Sequence, residues 1–345
     1  MARSTNFVDP EVYRNEFLRQ SVLKFDVFNQ ATGGAIRLVN IPGEMEANGG
    51  TFNTPVRFKR NYDLAAQNDE ANPATAATPT AIVQGEGVNP RSYRRLYTKA
   101  TYDEIKTGFY SSNDYSAQLG RQYADEMMTD LRKIAIAAAV ASVDSADTTD
   151  GTTASADIHV LDLARGSAAG SKVTATLAYL NRMLYKMGDA QTDIISLIAP
   201  SQIGYDLKND SMSSYVTENV AGFVVNTGMV ATLGRPLLEV DDSSLSTTLT
   251  SSYYTERALL GLGVGAITVK VVEIDEINED YVDSKEIPYW TWRQNYIAEV
   301  EVLGMKWKTT VNPTITELGT AANWDENYEN HREFPIVKLV VNSTL

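Results

Sequence analysis

The sequence predicts an α+β protein of two or so domains, and three observations carry that expectation. One helical pattern runs from 112 to about 143 without a proline, while beyond Thr227 short stretches of strand type dominate. The chain has 345 residues, 43% of them hydrophobic and 21% charged, which is enough for a sizeable core and far from the composition of a disordered chain.

The first segment, 1–55, reads as an arm. Asp9-Pro10-Glu11 is a good helix start, an Asp able to cap free amides followed by a Pro where no donor is lost. Val12, Leu18, Val22, Phe25 and Phe28 give apolar character without a clean helical stripe, and Gly33-Gly34 breaks it. Ile36-Arg37-Leu38-Val39 reads as a short strand, 43–55 is rich in Gly and Asn, and Val56-Arg57-Phe58-Lys59 alternates as a half-exposed strand does. The expectation is extended chain with little capacity to fold alone. From 68 to 90 the composition turns to Ala, Thr, Pro and Gly, flanked by strand-like 56–62 and 94–102. The whole of 56–106 thus reads as a long two-stranded excursion, and such a hairpin is marginal in water unless it lies on something.

The helix that follows is the clearest element. Tyr115, Leu119, Tyr123, Met127, Leu131, Ile134 and Ala138 recur at three- and four-residue steps, and roughly 30 residues at ~1.5 Å each make a rod of ~45 Å. Its second half, IAIAAAVA, is apolar nearly all round and demands burial; a polar loop is expected over 143–157. Val173, Leu177, Leu180, Leu184 and Met187 form a second helical stripe that stops at Gly188. Ile194-Ile195-Ser196-Leu197-Ile198 reads as a buried strand, and Pro200-Ser201-Gln202 opens a helix through Tyr205 and Leu207. Later, Ile267, Val269 and Val271 alternate with polar residues, as do Ala298, Val300 and Val302, and 336–341 reads as a terminal strand. There is no internal repeat.

Composition excludes several function classes. With no cysteine there are no disulfides, zinc–thiolate sites or thiol nucleophiles. The longest apolar run, 134–141, is far short of the ~18 residues of a membrane span, and the N-terminus shows no secretory pattern. Net charge is −14; residues 1–60 hold eight Lys/Arg against six Asp/Glu (+2), leaving −16 for the rest. A chain this acidic is a poor general nucleic-acid binder.

The search for chemistry ends without a site. The two histidines, His159 and His331, have no GxSxG serine to serve, and HExxH and P-loop patterns are absent. Gly261-Leu262-Gly263-Val264-Gly265-Ala266 matches a dinucleotide fingerprint nominally, but strand-like ITVKVV follows where a helix N-terminus is needed, so glycine-rich strand is the better reading. Asp144, Asp147 and Asp150 lack EF-hand spacing and its distal Glu. The run Glu273, Asp275, Glu276, Glu279, Asp280, Asp283 and Glu286 reads as a solvated face, since paired catalytic carboxylates need apolar walls. No catalytic, cofactor-binding or metal-binding residue is expected.

The order of segments, together with local stretches, resembles a tailed-bacteriophage major capsid protein of the Hong Kong 97 fold. Ile195-Ser196-Leu197-Ile198-Ala199-Pro200 through Leu207 resembles the strand-then-helix of that family's axial domain, and MVATLGRPLLEVDD, 229–242, its recurrent "tLGrPv…vD" segment. Leu303-Gly304-Met305-Lys306-Trp307, Asn312-Pro313-Thr314 and Asn323-Trp324 resemble its closing portion. The resemblance implies an N-terminal arm over 1–55 and an extended E-loop over 56–106. It also implies a peripheral domain of 107–155 plus 290–345 carrying a long spine helix, and an axial domain over 156–289. It implies a structural protein that self-assembles, as hexamers and pentamers, into an icosahedral shell around viral double-stranded DNA, with no enzyme activity and no cofactor. Its implied partners are other copies of itself, a separate scaffolding protein, a portal and a decoration protein, with DNA touched only loosely and no membrane. Its place is the virion, assembled in the host cytoplasm. An acidic container also suits a genome that has to leave, because a basic lining would grip DNA through counterion release. The alternatives are an encapsulin-type cellular compartment of the same fold and an acidic enzyme using the 273–286 carboxylates.

Arg91, Arg94, Arg95 and Lys99 place four positive charges within nine residues of an acidic chain. They read either as local solubility or as an inter-subunit contact in which the hairpin crosses a neighbour and meets acids there. On the second reading, reversing Arg94 and Arg95 together is expected to spare the subunit's melting temperature and block assembly.

Overall fold

A computed structural model describes residues 8–40, 51–58, 84–101, 103–105, 112–148, 158–164, 173–215, 233–248, 255–282, 289–309, 311–328 and 330–343. Parts of the expected arm and hairpin (1–7, 41–50, 59–83), the polar loop 149–157, and the acids Asp283 and Glu286 lie outside these residues.

The first segment corrects the expectation of extended chain. Helix α1 (Pro10–Ala31) starts under an Asp9 cap, whose carboxylate accepts from the amides of Glu11 and Val12. It buries Tyr13, Phe17, Ser21, Phe25 and Phe28, four- and three-residue steps along one face, against the long helix α2 (Ser112–Thr148). The two helices approach so closely that a Cβ on Gly120 of α2 would sit 2.8 Å from the Tyr13 carbonyl oxygen, which is why glycine stands there. After α1 the chain turns through Gly33 and Gly34, both at positive φ, into β1 (Ile36–Asn40).

The remaining elements, in chain order, begin with β2 (Thr51–Phe58), β3 (Gln84–Thr101), β4 (Val160–Asp162), α3 (Leu177–Tyr185), β5 (Ile194–Ala199), α4 (Ser201–Tyr215) and β6 (Leu237–Glu239). They continue with β7 (Ser246–Thr248), β8 (Thr255–Gly263), β9 (Ile267–Ile274), β10 (Asn278–Val282), β11 (Tyr289–Val302) and β12 (Met305–Trp307). The last are α5 (Ile315–Leu318), β13 (Trp324–Glu326) and β14 (Ile336–Ser343). Two six-stranded sheets result. The first runs β1-β9-β11-β3-β2 with β10 alongside β11; the second runs β4-β14-β8-β5-β6 with β7 on β8. β12 and β13 form a separate pair.

Helix α2 ties these layers together. Its first half packs Tyr115, Leu119, Tyr123 and Met127 towards the first sheet, where the Tyr123 hydroxyl donates to the Trp292 carbonyl at 2.8 Å. Its second half is sealed all round, with Ile134, Ala135, Ile136, Ala138 and Ala139 fully buried, because β14, α5 and β13 surround it as well. The expected helix therefore holds, and it runs on to Thr148.

Two further expectations change. The return strand of the hairpin, expected to lie across a neighbour, joins this chain's own sheet: β3 pairs with β11 in antiparallel register from Arg91↔Glu299 to Thr101↔Tyr289, while β2 pairs only its first part, up to Thr51↔Pro90. Sheet membership also crosses the expected boundary at 289/290. β9 and β10, placed with the axial segment, belong to the first sheet, whereas β14, placed with the peripheral segment, is an interior strand of the second. The glycine-rich motif is the end of β8 and the turn into β9. A Cβ on Gly261 would meet Val337 at 2.8 Å and one on Gly263 would meet Pro335 at 2.6 Å, so these glycines serve strand packing.

Candidate functional site

The four cations singled out in the sequence all fall on β3, and strand alternation sends them to different places. Even-numbered residues face α2 and odd-numbered ones face away. Leu96 is buried inward, and Arg94 beside it reaches Asp130 of α2, donating from Nε at 2.8 Å. The Tyr296 hydroxyl of β11 donates to the same carboxylate, and burial above all pushes that phenol's pKa up. Arg91 points the other way but is buried; its Nε donates at 3.0 Å to Glu299, which also accepts from Asn89 at 3.2 Å and lies 3.7 Å from the Lys270 ammonium. Two of the four are therefore engaged inside the subunit.

The other two stand on the surface. Arg95 is exposed and donates from Nε to the Asn295 side chain at 2.9 Å, and the Lys99 ammonium lies 5.4 Å from the Tyr289 ring centroid. Between and before them, Tyr93 and Tyr97 are 55% and 60% exposed. The outward stripe of β3 therefore reads Tyr93, Arg95, Tyr97, Lys99, alternately aromatic and cationic. The sequence reading passed over the two tyrosines, although strand alternation puts them on the same side as Arg95 and Lys99. A second exposed apolar group, Val22, Leu23 and Val27, lies on the outer face of α1.

The acidic run makes local structural bonds. Glu279 accepts from the Val8 amide at 2.9 Å and from the Trp292 indole at 3.1 Å; Asp275 accepts from Asn295, and Asp280 faces Arg293 at 3.4 Å. Asp144 is paired with Lys338 of β14, while the Asp147 side chain and all of Asp150 lie outside the description.

A family model, Major capsid protein 13-like, matches residues 13–336. The chain belongs to this family. It is a structural protein of the capsid shell. Its fold agrees: the capsid asymmetric unit of cyanophage Pam1 aligns with a TM-score of 0.53 at 15% identity, covering 89% of each chain. The capsid of a native GTA particle aligns at 0.51 with 12% identity, and a Microbacterium phage Oxtober96 chain at 0.50 with 10%, each covering 90% of both chains. No curated protein matches in sequence. The resemblance read from segment order thus holds at the level of family and fold.

In this capsid protein the two histidines meet across the chain, their ring centroids 5.9 Å apart. His159 is fully buried; its Nδ1–H donates to the Ile336 carbonyl at 3.1 Å, and Phe334 and Tyr328 close over the ring. Burial first, then the charge of His331, pull its pKa down to about 4. An unfolded chain binds that proton near pH 6.5. Between the two values the unfolded chain takes up a proton that the fold refuses, so stability falls as pH drops from 6.5 towards 4, by about 3 kcal/mol in all. Urea midpoints of the wild type and His159→Leu at pH 7 and 4.5 check this. The substitution is expected to flatten that part of the pH dependence, and parallel profiles would show that His159 does not contribute to it.

Proposed function

We propose that this capsid protein is the repeating unit of an icosahedral shell around viral double-stranded DNA, its copies grouped as hexamers and pentamers. The observation that supports this reading beyond family membership is the outward stripe of β3. Two exposed tyrosines and two exposed cations alternate along the middle of a strand, and they suit a second copy whose surface is acidic. The arm (1–55), the E-loop (56–106), the peripheral domain (107–155 with 290–345) and the axial domain (156–289) remain our division of the chain, with β9 and β10 moved to the first sheet and β14 to the second. The same reading includes a separate scaffolding protein, a portal, a decoration protein, loose contact with DNA, assembly in the host cytoplasm and no enzyme activity. Expression alone and with a candidate scaffold, followed by negative-stain microscopy, tests it. Closed shells are expected; a stable monomer under both conditions would overturn it.

The inter-subunit role proposed for Arg91, Arg94, Arg95 and Lys99 narrows to Arg95 and Lys99. Arg94→Glu would set a carboxylate against Asp130 and damage the subunit itself, so the pair Arg94→Glu with Arg95→Glu is a poor probe. Arg95→Glu with Lys99→Glu is the better one. Surface changes of this kind alter stability by about 0.5 kcal/mol or less, so the melting temperature is expected to stay within about 2 °C. Particle yield is expected to fall at least tenfold, and wild-type assembly to weaken as salt rises, since exposed pairs are screened beyond ~8 Å at physiological ionic strength. Normal particles from the double variant would make the stripe a solvated face only.

A further inference from the structure

Among the described residues, β3 has one edge with no strand beside it from Arg91 to Thr101. In an antiparallel pair, alternate residues turn their backbone N–H and C=O groups towards the partner strand, and the residues between them turn those groups outwards. Two side-chain bonds show which residues turn outwards here. The Tyr93 amide donates to Asn312 Oδ1 at 2.8 Å, and the Thr101 amide donates to Glu104 Oε2 at 2.7 Å. Both are odd-numbered, so Arg95, Tyr97 and Lys99 also face their amides away from β11, whereas Leu96 and Thr98 face theirs towards it. Among the described residues nothing accepts from these three amides, and no strand pairs with this stretch, because β2 stops opposite Pro90.

An edge of this kind usually carries protection such as a charged side chain, a proline, a bulge or an overlying loop, and here the charges are those of Arg95 and Lys99. Between Arg91 and Thr101 there is no proline, and the register with β11 is unbroken. The ends of the open stretch are closed by Asn312 and Glu104, which leaves a defined gap. An open groove of about 470 Å³ runs beside it, between Arg95–Thr98 and the side chains of Gln122, Tyr123 and Glu126 on α2. Exposed Arg95 and Lys99 flank the gap, in a chain with a surplus of 14 negative charges.

We infer that the edge of β3 from Arg95 to Lys99 is a strand-addition site that receives an extended, acidic segment of a second copy of this chain. The inference rests on the shell reading, which supplies the second copy at close quarters. Main-chain bonds from the three amides and their carbonyls provide the grip, and the tyrosine–cation stripe beside them selects the acidic segment.

Hydrogen exchange with residue-resolving fragmentation, on the full-length subunit and on particles assembled from this chain, tests it. The amides of Arg95, Tyr97 and Lys99 are expected to exchange fast in the subunit and at least tenfold more slowly in particles, with Leu96 and Thr98 protected in both. Fast exchange in intact particles overturns the strand-addition site while leaving the shell reading standing. Slow exchange already in the subunit overturns it as well, since the chain's own residues would then cover the edge. So does slowing that appears only when another virion protein is added. Failure to form any particle, both alone and with the candidate scaffold, overturns the shell reading itself, and this inference with it. Tyr97→Pro is an independent probe, because it deletes an outward amide without touching the β11 ladder. Tyr97→Ala removes one member of the stripe, and Tyr97→Pro, which also removes the amide, is expected to cut particle yield at least tenfold further; equal behaviour of the two variants counts against the site.

Discussion

Leu131→Asp leaves no folded subunit. Leu131 and Ile134 are both fully buried on α2, at the centre of the core that joins the helix to both sheets. A carboxylate there has neither water nor a partner cation, and an uncompensated buried charge costs several kcal/mol or more. A whole domain is stable by only about 5–15 kcal/mol, so that single term is comparable with the total. Ile134→Asp is expected to do the same. Leu131→Ala separates charge from cavity: it costs about 2–5 kcal/mol and should fold with a lowered midpoint. Lys133→Ala, exposed on the same helix, should change stability by no more than about 0.5 kcal/mol. Circular dichroism and urea unfolding check the series. A soluble Leu131→Asp protein that unfolds cooperatively within about 1 kcal/mol of wild type would mean that α2 is not the core element described above.

The helix whose loss is so costly was also the easiest to read, and for the same reason. Its apolar residues recur at helical spacing over many turns, so local pattern and tertiary burial agree. β5, β9 and β14 were legible likewise, being apolar or alternating runs of strand length. Helix α1 was misread because its buried stripe passes through Tyr13 and Ser21, while more hydrophobic Val22, Leu23 and Val27 lie outside it. The apolar residues of this segment give no clean stripe, and only the partner helix decides which face is inside. The middle of β3 was seen as a strand, but its partner lies about 200 residues later, and no local signal announces that register. The split of the basic cluster follows from this. Arg94 and Arg95 are neighbours in sequence and opposites in the sheet, so one reaches Asp130 and the other solvent. Arg91 shares the outward side with Arg95 and is nonetheless buried, paired with Glu299 directly across the ladder. That β14 joins the second sheet was not legible either, since strand exchange between sheets leaves no trace in composition.

Glu299→Ala is expected to destabilise the subunit by about 3–5 kcal/mol, the usual cost of removing one partner from a buried ion pair. The carboxylate is only 2% exposed and Arg91 only 8%, so water cannot replace the lost partner. Glu299 also receives the Asn89 amide, and it shares Lys270 with Glu301, which lies 3.1 Å from that ammonium. Lys270 thus keeps a carboxylate after the substitution, and Arg91 loses the one directly opposite it in the ladder. The asymmetry predicts that Glu301→Ala is much milder. An exposed pair sets the scale from below: Lys208 with Glu239, at 51% and 35% exposure, is worth roughly 0–1 kcal/mol. Removing both buried charges should cost less than removing one, because an apolar pair of similar size has no desolvation penalty to offset. The double variant Arg91→Met with Glu299→Leu is therefore expected to recover much of the loss. Urea midpoints for the two singles and the double give the coupling energy directly. A coupling below about 0.5 kcal/mol would place Arg91 in water and return it to the pool of cations available to a neighbouring subunit. A coupling of several kcal/mol would confirm it as part of the subunit's own frame, leaving Arg95 and Lys99 as the cations that face outwards.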